Sequence, residues 1–388
     1  MITYTGANES TGQRRPPAVP LKELLDALDR TAQGAADHVV RREPLQSFDP
    51  ANFQPPRPFS FDRAALAGAR AALRERIPAQ SVADVSLAPP TGDVDLALLA
   101  GFLSKPVGHF LRHRLEVSLL DESEPDSDAI PVELGHLDAW AVGDRMLTDL
   151  LAGRDLEAAR ALEWRRGLLP PGQLGWDRAK RIADDAAPIA ELVASFTGGA
   201  PARAVDVDLD LGGGRRLVGT VTDVYDSRVV RAGYSRLGPR HVLDAWLAIL
   251  ALEAAHPGRG WSAGAVGRGG NGDPPARVTF AAPADARTRL RELVALHDAG
   301  MSAPLPLPLK TAHAWADRQF ARGNASACRF RADREWTNRS SDFGGERDEP
   351  AHRLVWGEHA PIDVLIERGL PDLAMRLWTP VLEAGVRR

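Results

Sequence analysis

The residues best placed for chemistry lie on two neighbouring predicted strands, where a metal-dependent hydrolase would hold its cation. Such a site needs an acid on one strand and Asp/Glu-x-Lys on the next, because the acids bind a divalent cation and the lysine helps to place the attacking water. In the first strand the ligand position, three residues after Gly219, is Thr222, and Asp223 follows it. Side chains alternate along a strand, so the Asp223 carboxylate is predicted to point away from the site. In the next strand the acid and lysine positions fall at about Arg231 and Gly233.

The lysines of the sequence exclude that motif at every position. The chain has four of them, Lys22, Lys105, Lys180 and Lys310, and none has Asp or Glu two residues before it. None follows a glycine either, so the sequence contains no common phosphate-binding loop. Arg231 stands at the acid position, where its charge would repel a cation. We therefore predict no catalytic residue and no metal ligand set in this chain.

The elements that position these residues form a series of three strands and a helix. Alternating apolar residues predict the strands, a proline opens the helix, and two further strands follow. The predicted elements span 204–211, 215–225, 228–234, 239–256, 261–270 and 276–283. This order is that of the PD-(D/E)xK nuclease core. We predict a mixed α/β fold whose nuclease-like core, about residues 203–282, has an emptied active site and is surrounded by helices.

Several other motif-like stretches favour ordinary structure over a site. His109 and His113 lie one helical turn apart without an evident third zinc ligand, which favours a helix face with satisfied histidines. The glycines in 267–272 match GxGxxG but precede Asp-Pro-Pro, which favours a hairpin loop. Ser262 in GWSAG has no predicted helix after it, as a nucleophile elbow requires. The acidic stretch 121–128 is interpreted as a solvated loop.

The basic residues are almost all arginine. Of 48 Lys and Arg residues only four are lysine, a bias that a GC-rich genome would also produce. Six arginines cluster on the turns and the strand around the emptied site: Arg215, Arg216, Arg228, Arg231, Arg236 and Arg240. They form either a solvated edge or a surface that contacts phosphate. On the second interpretation, all of them except Arg231 are predicted to bind DNA.

The composition is that of an ordinary globular protein. Hydrophobic residues make up 44% and charged residues 26% of the 388 residues, and the net charge of −4 gives no overall basic character. The single cysteine, Cys328, excludes a disulfide framework and a cysteine-rich zinc site. No apolar run reaches the ~18 residues that span a bilayer, and no signal region opens the sequence. We expect a cytoplasmic protein with no membrane association.

Changes of pattern divide the chain into three predicted parts. Residues 1–42 hold a short strand at Ile2–Gly6 and an amphipathic helix at 21–32, which together cannot bury their own apolar faces. Residues 43–62 are predicted to be an extended linker that anchors phenylalanines on a neighbouring surface. Residues 63–388 form the main domain. Its predicted helices outside the core lie at 63–78, 133–153, 155–170, 177–196, 283–299, 311–323 and 371–385, with two helices or a helix and a strand in 94–119.

A series of longer motifs carries a family resemblance. They are LQSFDPANF, FSFDRAALAGARAAL, PVGHFLRHRL, PVELGHLDAWAVGDRML, RRGLLPPGQLG, YSRLGPRHVLDAWLAILAL and GERDEPAHRLVWG. In this order they resemble RecC, the gamma subunit of exodeoxyribonuclease V, of an actinobacterial type. The likeness runs over nearly the whole chain but covers only the C-terminal third of a typical RecC. It implies that residues 1–42 are the end of a helicase-like domain, and that the rest is a nuclease-like domain that has lost its active site.

The resemblance also implies a role. RecC is a non-catalytic subunit that holds RecB and RecD together, helps to split duplex ends and channels the unwound single strands. ATP and magnesium would then be used by the partner subunits, and this chain would bind no cofactor. At Thr222, Arg231 and Gly233 the chain matches the inactivated state of the family. Chi recognition belongs to the helicase-like part, most of which this sequence does not contain.

Three functional hypotheses follow from the sequence. The leading one is a DNA-binding scaffold in double-strand break repair and homologous recombination. The second is a metal-dependent nuclease whose ligands have moved to other strands, with magnesium-dependent cleavage that Asp223→Ala abolishes. The third is a truncated gene product with no function of its own.

Overall fold

The computed structural model divides into two compact units, Met1–Ala79 and Gln80–Arg388. It describes residues 1–8, 13–41, 43–44, 46–55, 58–75, 80–119, 134–270, 273–338 and 344–387. The predicted acidic loop at 121–128 lies outside these ranges. Within them, no helix combines the length and the apolar character needed to cross a membrane.

The first unit consists of short helices that bury very little. Its helices are α1 (Val19–Thr31), α2 (Ala35–Val39) and α3 (Arg63–Ala72), with a 3-10 turn at Pro50–Phe53. The predicted amphipathic helix is α1, yet none of its residues is buried. Asp62 is the N-cap of α3, because its carboxylate accepts hydrogen bonds from the backbone N–H groups of Ala64 and Ala65, at 2.7 and 3.1 Å.

Two sequence-based expectations for this unit are wrong. Ile2–Gly6 is irregular, and the nearby pairing is a single bridge between Ala7 and Arg14, since no described strand lies beside the segment. The helix predicted at 63–78 ends at Ala72. In the predicted linker, Phe59 and Phe61 are exposed, with accessibilities of 59% and 87%.

The second unit combines one mixed sheet with twelve helices among its described residues. In chain order these elements are β1 (Val94–Asp95), α4 (Leu96–Ser104), α5 (Pro106–Arg114), α6 (His136–Leu151), α7 (Leu156–Arg165), α8 (Gly172–Thr197), β2 (Arg203–Gly212), β3 (Arg215–Tyr225), β4 (Arg228–Arg236), α9 (Pro239–Ala255), β5 (Ser262–Arg268), β6 (Ala276–Ala281), α10 (Ala286–Ser302), α11 (Leu309–Phe320), α12 (Ala325–Thr337), α13 (Pro350–Trp356), α14 (Ile362–Glu367), α15 (Leu370–Ala384) and β7 (Val386–Arg387). The predicted mixed α/β class is confirmed, and 94–119 forms two helices after a two-residue strand.

The sheet is antiparallel except at two places. β2, β3 and β4 form an antiparallel meander, β5 lies parallel to β4, and β6 and β7 continue antiparallel. Parallel neighbours need a crossover, and α9 provides it between β4 and β5. The short strand β1 pairs in parallel with β3.

Helices cover both faces of the sheet at β4 and β5. Val229 of β4 faces the large core that contains α9, whereas the next residue, Val230, packs with α6 and α8. Ala265 and Val266 of β5 divide between the two cores in the same way. Successive side chains of a strand point to opposite faces of the sheet. Apolar residues at consecutive positions therefore indicate that β4 and β5 are buried between two helical layers.

The C-terminal helices were predicted incompletely. Only the last, α15, was expected beyond residue 323, but α12, α13 and α14 precede it. The residues of α12 that are buried, Cys328, Ala332 and Trp336, recur every four positions. That spacing is a helical signal, although the surrounding polar residues obscure it.

Lowering the pH from about 6.5 to 4 is expected to destabilise the second unit through His352. Its imidazole is 6% exposed and accepts a hydrogen bond from the indole of Trp356 at Nδ1, 3.2 Å away. Burial, aided by the charge of Lys105, lowers the pKa of His352 to about 4. The unfolded chain, with an ordinary imidazole, therefore binds more protons than the folded chain below pH ~6.5, so acid favours unfolding by as much as ~3 kcal/mol.

Urea unfolding at several pH values measures this effect. The variant His352→Gln is expected to show a shallower loss of stability between pH ~6.5 and 4, since it removes one titrating group. Part of the slope remains, because burial also lowers the pKa values of His109 and His313 to about 4. An identical slope in the variant and the parent would contradict the assignment to His352.

Candidate functional site

A gap between β3 and β4 creates the candidate site. Leu217 of β3 pairs with β2 on one side and β1 on the other, and Val224 pairs with β2 and β4. Because β2 occupies one edge of β3 throughout, β1 and β4 share the other edge at its two ends. Between residues 218 and 224 that second edge pairs with no described strand. The two strands therefore diverge and leave an opening between them.

An open cleft of about 410 Å³ lies in this gap. One wall is apolar and belongs to α4 and α9, and the other is polar and belongs to β3, β4 and the first turns of α9. The lining residues are Leu96, Ala97, Ala100, Gly101, Ser104, Thr220, Val221, Thr222, Asp223, Arg231, Arg240, Asp244, Leu247 and Ala248. Gly219 permits the close approach of α4, because a Cβ atom there would lie 2.7 Å from Cβ of Leu96.

Asp223 faces the cleft, so its predicted outward orientation is wrong. Its φ of +56° is left-handed, and the pairing of β3 with β2 shifts register at this point. Thr222 and Asp223 are both exposed between the buried Val221 and Val224. This is a β-bulge, which adds one residue and ends the strict alternation of side chains on which the prediction relied. The Thr222 hydroxyl donates to the Asp223 carboxylate at 2.9 Å.

Arg231 occupies the position where the sequence suggested a lost metal ligand. Its Nη1 donates to the Thr222 carbonyl at 2.8 Å and lies 3.4 Å from Oδ2 of Asp223. Burial lowers the pKa of Arg231, and the charges of Asp223 and Asp244 act in the opposite direction. A guanidinium stays charged in proteins. The side chain thus places a cation across the gap and satisfies a carbonyl on the unpaired edge of β3.

His241 lies against Gly233, the position expected for the lysine of an Asp/Glu-x-Lys motif. A Cβ atom on Gly233 would lie 3.0 Å from Nε2 of this histidine. Burial is the main cause that lowers the pKa of His241. Three residues along α9, burial raises the pKa of Asp244, whose carboxylate lies 4.0 Å from Nε of Arg240.

The cleft therefore contains two carboxylates, two guanidinium groups and no lysine among its lining residues. Nowhere in the described ranges do three or more His, Cys, Asp or Glu side chains converge on a possible metal position. Because Arg231 already lies beside Asp223, a cation entering here would meet a positive charge at the expected ligand position. That this chain has no catalytic activity stays a prediction, because it is inferred only from which side chains line the cleft.

The structure does not bring the six predicted arginines together. Arg215 and Arg216 begin β3, at the opposite end from Asp223. Arg215 donates to Asp298 at 2.6 Å and to the Gly92 carbonyl, and the hydrogen bond to Asp298 raises its pKa. Arg216 forms an ion pair with Asp208.

The other predicted DNA-binding arginines are divided between the two ends of β4 and the start of α9, and of these three only Arg240 lines the cleft. Arg228 is exposed at the start of β4, next to the turn from β3. Arg236 is exposed at the end of β4, and Arg240 stands in the first turn of α9 with 69% of its side chain exposed. Their role in DNA binding stays a prediction.

Sequence reasoning missed Asp244 and Trp140. Asp244 interrupts the apolar run of α9, and an acid on a helix that is otherwise buried was a usable signal. Trp140 of α6 is 41% exposed, and its indole N–H donates to the hydroxyl of Ser235 at 2.8 Å. No local sequence pattern predicts that contact, because the two residues are 95 positions apart.

The remaining motif-like stretches have structural roles in the described residues. The ring centroids of His109 and His113 lie 5.0 Å apart on one helix face, and burial lowers the pKa of His109 to about 4. Ser262 begins β5, so a strand rather than a helix follows it. The described part of 267–272 lies in the hairpin between β5 and β6, as predicted, and Gly272 falls outside the described ranges.

Comparison with known proteins identifies relatives over nearly the whole chain. The chain is 46% identical over 408 aligned residues to the RecBCD enzyme subunit RecC of Mycobacterium tuberculosis, covering 99% of this chain and 36% of that protein. It is 43% identical over 404 residues to the RecC subunit of Mycolicibacterium smegmatis, with the same coverage. The Haemophilus influenzae RecC subunit is 25% identical over 257 residues, 63% of this chain and 22% of that protein.

The chain therefore spans about a third of the length of the mycobacterial relatives, 36% in both alignments. The family model described as the RecC C-terminal domain matches residues 91–320. That range contains β1 to β6 and all the residues that line the cleft. The chain belongs to the RecC C-terminal domain family.

Proposed function

We propose that this chain acts as a non-catalytic DNA-binding and scaffold portion of a RecC subunit, in the RecBCD helicase–nuclease of double-strand break repair and homologous recombination. The position of Arg231 carries the proposal. Its guanidinium bonds to Thr222 and lies beside Asp223, where a nuclease would hold its cation. Family membership supplies the context, and the sequence contains no Asp/Glu-x-Lys motif.

The core is proposed to derive from a PD-(D/E)xK nuclease. Support comes from the antiparallel series β2, β3 and β4, followed by α9 and a strand that is parallel to β4. The divergence of β3 and β4 adds to it, because a cleft opens where an active enzyme would cut DNA. On this view Thr222, Arg231 and Gly233 are the altered positions of the former site.

The proposed partners are RecB, RecD, duplex DNA ends and the unwound single strands. ATP and magnesium would act in the partner subunits, with no cofactor bound by this chain. The relatives' description as RecBCD enzyme subunits supports this assignment. Co-purification with RecB and RecD of the same genome tests it. Failure of a folded chain to assemble with them would instead favour a gene product without a function of its own.

DNA contact is proposed to involve Arg228, Arg236 and Arg240 more than Arg215 and Arg216. The guanidinium groups of the latter two are held in close ion pairs with Asp298 and Asp208, whereas that of Arg240 lies 4.0 Å from the Asp244 carboxylate. To contact DNA, the guanidinium groups of Arg215 and Arg216 would have to break their ion pairs, which would offset part of the free energy gained from binding phosphate. Arg228 and Arg240 occupy exposed positions, and Arg240 lines the cleft.

The double variant Arg228→Ala/Arg240→Ala is expected to bind a duplex end about tenfold more weakly at low salt. Each phosphate contact releases roughly one counterion, so the dependence of log Kd on log salt should also decrease by about two. Fluorescence anisotropy with a labelled duplex at several salt concentrations measures both quantities. The matched control is Arg287→Ala/Arg331→Ala, which removes two exposed arginines from α10 and α12. Equal losses of DNA affinity in the two double variants would show that the effect depends on net charge and not on the positions of Arg228 and Arg240.

One observation favours the competing hypothesis of a nuclease with a displaced site. Asp223 faces the cleft, and Asp244 lines the same space. That hypothesis requires magnesium-dependent cleavage of DNA by the chain alone and its loss in Asp223→Ala. Cleavage with this dependence would refute a non-catalytic role, whereas binding without cleavage agrees with the proposal.

A further inference from the structure

Trp140 presents a fixed aromatic surface beside the proposed DNA-binding residues. The side chain is 41% exposed, which is unusual for the largest apolar residue type. Its one polar atom, Nε1, is already bonded to the Ser235 hydroxyl at 2.8 Å. The hydrogen bond holds the ring in place without covering it. What remains exposed is the apolar part of a rigid indole.

The surroundings of Trp140 connect it to the cleft. Ser235 precedes Arg236 at the end of β4, and α9 begins four residues later with Arg240 in its first turn. One turn beyond Trp140, the Asp144 carboxylate accepts a hydrogen bond from the backbone of Tyr234, at 3.4 Å. The first half of α6 therefore lies along the end of β4. Arg240, five residues after Ser235 in the sequence, lines the cleft.

The neighbouring groups include apolar and cationic residues, together with two acids of α6, Asp138 and Asp144. Leu137 lies one turn before Trp140 on α6 and is 69% exposed. Arg236 and Arg240 are exposed on the adjoining segment. An aromatic ring with cations on the adjoining segment suits a chain that has both stacking faces and negative charge, which is the chemistry of single-stranded nucleic acid. A duplex offers its base edges in the grooves, so it cannot stack an internal base on this ring.

We propose that Trp140 is a stacking platform for an unpaired base of single-stranded DNA, whose backbone phosphates contact Arg236 and Arg240. This inference rests on the proposed DNA-binding role and adds the residue that would distinguish the single strands from the duplex. Binding at this surface prefers single strands over blunt duplex. The preference comes from the indole, and the salt dependence comes from the arginines.

The test compares Trp140→Ala with Trp164→Ala in the full chain. Trp164 is a matched control, because it is 38% exposed on the neighbouring helix and its ring contacts Trp176 instead of the cleft end of the sheet. The probes are a fluorescent oligothymidylate of about 16 nucleotides and a blunt duplex, with affinities measured by anisotropy. Trp140→Ala is expected to weaken oligothymidylate binding about tenfold and leave duplex binding unchanged. Trp140→Phe, which keeps an aromatic ring, should retain most of the affinity.

Several outcomes would overturn the proposal. One is unchanged oligothymidylate binding by Trp140→Ala, and another is an equal loss in Trp164→Ala. Loss of assembly with RecB and RecD while oligothymidylate binding persists would assign Trp140 to a protein interface. If Trp140→Ala does not fold, photocrosslinking of the parent chain to a bromodeoxyuridine oligonucleotide decides, according to whether the peptide containing Trp140 is labelled. The proposed function fails separately, when duplex binding is insensitive to Arg228→Ala/Arg240→Ala.

Discussion

Replacing Glu346 by alanine is expected to lower the free energy of unfolding by about 3 to 5 kcal/mol. Glu346 is 7% exposed and lies 35 residues after Thr311, which is in the first turn of the helix that it caps. Its Oε1 accepts the backbone N–H of Lys310 at 2.9 Å, and Oε2 accepts the N–H and hydroxyl of Thr311, both at 2.8 Å. These donors open α11, where Pro308 at the N-cap has no side-chain acceptor.

The large effect follows because alanine leaves buried donors without a partner. Each such donor costs about 1 to 3 kcal/mol, and Thr311 is completely buried. Urea unfolding followed by tryptophan fluorescence measures the loss, with Trp315 of α11 as a local reporter. Hydrogen exchange should show faster opening at the start of α11.

Two control variants separate capping from other effects at Glu346. Glu346→Gln keeps one acceptor oxygen and is expected to lose less than half as much stability as alanine. Glu358→Ala removes an acid that is 67% exposed and paired only with Arg353 at the surface, so its expected loss is below about 1 kcal/mol. A similar loss in Glu346→Ala and Glu358→Ala would show that the carboxylate does not hold α11.

Gly219→Ala is expected to cost roughly 2 to 5 kcal/mol and to displace α4. Gly219 has φ +155°, a conformation that side chains disfavour. Its Cβ would also lie 2.7 Å from Cβ of Leu96, the first residue of α4, which is 6% exposed. Strain of about 1 to 3 kcal/mol and overpacking of similar size therefore act together. The unfolding midpoint and hydrogen exchange in α4 measure the effect.

Gly214→Ala provides the control for backbone strain alone. Gly214 has φ +77°, but a Cβ there would meet no atom within 4 Å. Its expected cost is about 1 to 2 kcal/mol, without a change in the exchange of α4. If the two variants lose the same stability, the contact between Gly219 and Leu96 does not constrain the cleft.

Much of the strand core was predictable because it depends on local patterns. The three strands of the meander and helix α9 agree with their predicted ranges to within a few residues. Apolar alternation and the turns at Gly212–Gly214 and Asp226 are encoded by neighbouring residues. The first unit was harder to predict, since its apolar residues lack a described surface to bury against.

The candidate site was predictable in composition and only partly in geometry. The missing lysine motif and the arginine at position 231 can be read from the residues alone. The orientation of Asp223 could not, because it depends on a bulge set by the pairing of β3 with β2. Alternation of side chains predicts a face only while the register continues unbroken.

The sequence by itself determined the absence of an Asp/Glu-x-Lys motif, the mixed α/β class and the order of strands in the core, since residue identity and short-range periodicity are local properties. Only the tertiary structure decided that β3 and β4 diverge, that Arg231 crosses the gap to Thr222, and that Trp140 is fixed by Ser235. These features are contacts between surfaces that packing brings together. Such contacts depend on the positions of many side chains at once, so no short stretch of sequence contains them.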